Sequence, residues 1–114
     1  MTNTKATLVR AGALAGFMAA LLWGSASYAA DPVNIRIGNF AFVPETITVA
    51  AGTKVQWVNE DDAPHVVIGI DKDTPIRSAA LDTDDKYVVV LDRPGTYKYF
   101  CSLHPHMVGV VIVK

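Results

Sequence analysis

Downstream of residue 32 the apolar positions recur at every second residue. Val33, Ile35 and Ile37 alternate with Asn34 and Arg36, Ile47 and Val49 with Thr46 and Thr48, and Val55 and Trp57 with Lys54 and Gln56. A period of two puts these side chains on one face, so each segment reads as a half-buried β-strand. Residues 66–70 and 87–91 are nearly continuous apolar runs of strand length, which suits the centre of a sheet. Residues 95–101 read as a strand with Tyr97, Tyr99 and Cys101 on one face, and residues 108–113 as the strand after it. Turn signals separate these segments at Pro44, Ala51-Gly52, Asp61-Asp62-Ala63-Pro64 and Arg93-Pro94-Gly95. Residues 71–86 form the one long polar stretch, within which residues 76–81 read as a short helical turn. The pattern predicts an all-β fold, a Greek-key β-sandwich.

The first thirty residues break this pattern. Lys5 and Arg10 are their only charges, residues 11–23 are an apolar and small-residue run, and Ser25-Ala26-Ser27-Tyr28-Ala29-Ala30 follows. The run of thirteen residues is short against the roughly twenty of a membrane-spanning helix. It reads as a secretory signal peptide, residues 1–29, cleaved after Ala29 with Ala30 as the alternative. An uncleaved anchor is the competing reading. Without a cysteine to lipidate at the junction or a twin arginine, the expected route is general export to a periplasm, with no membrane attachment after cleavage.

Residues 30–114 then make one small domain. It carries eight basic against eleven acidic residues and no basic patch, so nucleic acid is excluded as a partner. A single cysteine in an exported domain forms no internal disulfide. Cys101 is therefore an apolar filler, a reactive thiol or a metal ligand.

The neighbours of Cys101 decide among these. "FCSLHPHMVG", residues 100–109, sets it beside two of the three histidines and one of the three methionines. Cys101, His104 and Met107 follow the spacing Cys-x2-His-x2-Met, and each offers a soft or borderline lone pair, a set suited to copper. A trigonal site needs a second nitrogen, and His65, following the turn at 61–64, supplies it. His106, adjacent to Met107, is expected to point away as an exposed non-ligand. Trp57, Tyr97 and Tyr99 read as core or rim aromatics, and Glu60-Asp61-Asp62 as a solvated turn.

At these residues the chain resembles the cupredoxins, the small blue copper proteins, and most closely the amicyanin group among them. "VQWVNEDDAPHVV" is similar to the family's strand, loop and upstream histidine, and "PGTYKYFCSLHPHMVGVVIV" to its C-terminal strand, ligand loop and final strand. The resemblance implies one type 1 copper ion held strongly by His65, Cys101 and His104 and weakly by axial Met107. It implies a monomeric carrier of single electrons, not an enzyme, whose partners are redox proteins such as a c-type cytochrome or a periplasmic dehydrogenase or oxidase. His104 would be the exposed edge for electron exit, ringed by Leu103, Pro105, Ala63 and Pro64. Val66 stands where the family commonly has an asparagine that bonds the residue after the cysteine, here Ser102. Delivery of copper ions is the alternative use of the same ligands. A thiol enzyme pairing Cys101 with a histidine lacks an orienting third group, and zinc is disfavoured by the thioether.

Overall fold

The computed structural model describes residues 31–114, so the signal-peptide reading lies outside the described residues. Eight strands form two four-stranded sheets: β1 (Val33–Gly38), β2 (Ala41–Val43), β3 (Thr46–Val49), β4 (Thr53–Asn59), β5 (Ile68–Gly69), β6 (Lys86–Leu91), β7 (Gly95–Cys101) and β8 (His104–Val113). One sheet runs β2-β1-β4-β6 and the other β3-β8-β7-β5. The pairs β1/β4 and β3/β8 are parallel, so the chain crosses between sheets instead of folding as a simple meander. This is the expected all-β sandwich.

The alternating positions meet between the sheets. Ile35, Ile37, Val55 and Trp57 come from one sheet, and Tyr99, Val111 and Val113 from the other, all buried. Trp57 stands edge-on to Tyr99, with ring centroids 5.2 Å apart, and Phe42 packs on Tyr99 at 4.8 Å. Burial pushes the Tyr99 phenol up to about 12, so it stays neutral within the core. Tyr99 lies opposite Gly109 across β7 and β8. A β-carbon at Gly109 would come within 2.3 Å of that phenol, which is why the strand carries a glycine there.

Three expectations fail. The runs at 66–70 and 87–91 are not central, because β5 and β6 are both edge strands. Residues 66–70 contribute only the two-residue β5, and the outward valines of β6, Val88 and Val90, are 46% and 43% exposed. Residues 76–81 contain no helical turn. They run extended, bridging Arg77 to Ile68 and Leu81 to His65, which buries Ile76 and Leu81. The last strand begins at His104, not Val108.

Candidate metal centre

The C-terminal loop at residues 102–107 is a product of strand register. Phe100 pairs with Val108, but Cys101 pairs with His104, so residues 105–107 are extra on β8 and bulge from the ladder. The two-residue turn at Ser102 and Leu103 therefore brings His104 back beside Cys101, while the bulge returns Met107 to the buried cluster. His106, between them, is exposed as expected.

Asn59, fully buried at the end of β4, shapes the other side. Its side-chain amide donates to the carbonyls of Ala63 (2.9 Å) and Leu81 (2.8 Å), and its Oδ1 accepts from the Asp61 N–H at 2.9 Å. These bonds close the 60–64 loop and deliver His65 to a bridge with Leu81, in which each backbone N–H donates to the other's carbonyl. His65 is 0% exposed.

Cys101, His65 and His104 converge at the end of the sandwich. Cys101 Sγ is 3.7 Å from Nδ1 of His65 and 3.7 Å from Nδ1 of His104, and all three atoms lie within 4.8 Å of one another. With bonds of about 2.3 Å to sulfur and about 2.0 Å to nitrogen, trigonal placement around a first-row ion sets sulfur and nitrogen about 3.7 Å apart. Both sulfur-to-nitrogen separations match that length. The Val66 N–H donates to Cys101 Sγ at 3.3 Å and so fixes the position of the sulfur.

Besides Asn59, two residues of this site escaped the sequence reading. Asp61, expected in a solvated turn, is largely covered, its side chain 14% exposed. It accepts from the backbone N–H groups of Asn39 and Phe40 and from Nε2 of His65 at 2.8 Å. That places a proton on Nε2 and turns Nδ1 toward Cys101. Burial by itself raises the Asp61 carboxyl, but the N–H groups of Phe40 and Asn39, together with His65, more than offset it and hold the group below its ordinary value. Phe40, 52% exposed, sets its ring against both histidines. The signals available for them were the i, i+4 spacing of Asp61 and His65 and the Gly38-Asn39 turn pair before Phe40. Neither is specific.

Residues 29–114 match the family described as copper binding proteins, plastocyanin/azurin family. The chain belongs to that family. Amicyanin of Paracoccus versutus is 34% identical over 93 residues, covering 79% of this chain and 70% of the relative. The chloroplastic plastocyanin of Tetradesmus obliquus is 35% identical over 113 residues, covering 90% of this chain and 76% of the relative. The crystal structure of Paracoccus versutus amicyanin superposes with a TM-score of 0.69 at 33% identity, covering 77% of this chain and 86% of that one. The expected likeness to the cupredoxins, and to amicyanin among them, is borne out. Family and donor spacing together make one copper ion the cofactor of this cupredoxin.

Proposed function

We propose that this cupredoxin is a periplasmic carrier of single electrons, with His65, Cys101 and His104 as strong copper ligands and Met107 as a weak axial one. The observation that carries this reading is the 3.7 Å spacing from Cys101 Sγ to both imidazole nitrogens. When bound, copper supplies a reversible one-electron change between Cu(I) and Cu(II), both of which a thiolate and two neutral imidazoles satisfy. The chain holds those donors on strand ends and loops tied by backbone bonds, so changing oxidation state asks little movement of them. It keeps Cys101 and His65 from water and leaves only His104 half-buried, as a short path to the surface.

Around that path Leu103 is 50% exposed and Pro64 and Pro105 are also exposed. A small apolar rim suits brief encounters with redox partners, among them a c-type cytochrome or a periplasmic dehydrogenase or oxidase. The protein acts as a monomer and catalyses no reaction of its own. A closed, buried thiolate favours electron transfer over handing the ion itself to another protein.

Cu(II) added to the copper-free protein should give an intense thiolate-to-copper band and a reversible voltammetric wave. Cys101→Ser should abolish the band while the sandwich still folds. A fully coloured Cys101→Ser protein would overturn the assignment, and a band without a reversible wave would turn the function toward copper delivery.

A further inference from the structure

The β1/β2 hairpin turns through just two residues, Asn39 and Phe40, between the paired Gly38 and Ala41. Both have positive φ, 53° and 57°. That matches the mirror-image turn favoured in tight hairpins, whose usual residues are Asn, Asp and Gly. Asn39 fits. A bulky aromatic at the second position is a conformational outlier, and such strain persists only where the surroundings over-determine it.

Here the surroundings are a single carboxylate. Asp61 Oδ1 accepts the Asn39 N–H at 2.6 Å, and Oδ2 accepts both the Phe40 N–H at 2.9 Å and His65 Nε2–H at 2.8 Å. The turn so held places the Phe40 ring 5.3 Å from His65 and 4.9 Å from His104, at 81° to each. One side chain thereby governs the outward nitrogen of one histidine and, through the turn, an aromatic wall against both. In the 61–65 stretch the carboxylate is four residues before His65, whereas the Phe40 turn comes from a distant hairpin, so the coupling is tertiary.

We infer that Asp61 and the Asn39–Phe40 turn form a clamp that orients the imidazoles of His65 and His104 before any ion is present. Asp61 is the positioning residue for His65, and Phe40 is the positioning residue for His104. The half-buried His104 would otherwise sample several staggered rotamers, and Phe40 closes the side toward which its ring could swing. The consequence for copper retention rests on the ligand reading above; the orientation of the rings does not.

The test uses the copper-free chain first. Long-range 1H–15N imidazole spectra should show His65 in one tautomer with the proton on Nε2, and nuclear Overhauser contacts should join the Phe40 and His104 rings. Phe40→Leu should leave the His65 tautomer alone but average the His104 ring signals over several orientations. After copper loading it should release the ion to a chelator about tenfold faster or more, the usual size of effect when a group orienting a ligand is lost. Phe40→Tyr, which keeps the ring, should restore a single His104 orientation and bring release back near wild type. Asp61→Asn should disturb both histidines at once, mixing the His65 tautomers and weakening the Phe40 to His104 contacts.

A Phe40→Leu protein with one fixed His104 orientation and unchanged release would overturn the role of Phe40. Unaltered spectra in Asp61→Asn would overturn the role of Asp61. If that variant does not fold, the Phe40→Leu and Phe40→Tyr pair still decides the clamp. Should the wild type bind no copper, the ligand reading fails while the copper-free spectra still decide the clamp.

Discussion

The two imidazoles facing Cys101 are held by different means. His65 is fully buried and held at its backbone and at Nε2: its backbone pairs with Leu81, its Nε2–H is bonded to Asp61, and the loop before it is closed by Asn59. His104 is half-buried and owes its place to geometry, to a two-residue turn, a bulge in β8 and the ring of Phe40. Polar networks in a low-dielectric interior rigidify but are costly when incomplete, whereas strand register is held by many small packing terms. One side of the site is thus pinned by a few strong bonds and the other by accumulated fit. A site built this way keeps a rigid inner imidazole and an accessible outer one.

The largest break should come from Asn59→Ala. It removes three hydrogen bonds around a fully buried side chain and takes away the partners of the Ala63 carbonyl and the Asp61 N–H. A loss of about 2–4 kcal/mol in copper-free stability is expected, measured by urea unfolding. His65 should lose its fixed orientation, whereas the loop at residues 101–107 should keep its native amide shifts. Amide shifts that move equally on both sides would show that the two are not separable.

The complementary break is Gly109→Ala, aimed at the register that carries His104. The added methyl would lie 2.3 Å from the Tyr99 phenol, itself boxed in by Phe42 and Trp57. Overpacking of this kind costs about 1–3 kcal/mol. Because β8 must shift to relieve the clash, the copper-loaded spectrum should change along with stability, since Met107 is only two residues away on the same strand. An unchanged spectrum with lowered stability would mean that the bulge at residues 105–107 absorbs the shift.

Next in size is a paired measurement on the histidines themselves. His65→Ala opens a buried gap and deprives Asp61 of a partner, for an expected loss of about 2 kcal/mol in the copper-free protein. His104→Ala, at a half-buried rim position, should cost under about 1 kcal/mol. Equal losses in urea unfolding would erase the distinction between a pinned histidine and a fitted one.

The same contrast explains what could be read from the sequence. Half-buried strands announce themselves by alternation, so β1, β3, β4 and β7 are legible in Ile35, Val49, Trp57 and Tyr99. The edge strands are not, because Val88 and Val90 are apolar without being buried, and a continuous run then mimics a central strand. Ile76 and Leu81 are five residues apart, matching neither strand nor helix period, and only their bridges to β5 and His65 explain their burial. At the site, Cys101, His65, His104 and Met107 stand out because their types are rare and their chemistry is specific. Asp61, Asn59 and Phe40 do not, because an aspartate in a turn or a phenylalanine after a Gly-Asn pair has no distinguishing chemistry until the fold sets it beside a histidine. Their roles are tertiary, and local pattern carries no record of them.

The smallest expected effect tests the seam between the two sides. Val66 follows the pinned histidine, and its N–H donates to Cys101 Sγ at 3.3 Å, a bond across 35 residues that joins the His65 side to the C-terminal loop. Its own side chain, half-buried, contributes no polar link to Ser102, the exposed residue after Cys101. Val66→Asn would add a carboxamide able to bond Ser102, at the cost of some apolar burial. A partly exposed hydrogen bond contributes about 0.5–1.5 kcal/mol net, so after that cost a gain of about 0.5 kcal/mol remains. For a domain of this size that corresponds to a rise of about 2–4 °C in the copper-free Tm. Because the new bond would tie the fitted side to the pinned one, copper loss to a chelator should slow as well. If neither the Tm nor the loss rate moves, the backbone bond from Val66 to Cys101 already fixes the loop, and the two sides are joined as firmly as a side chain could join them.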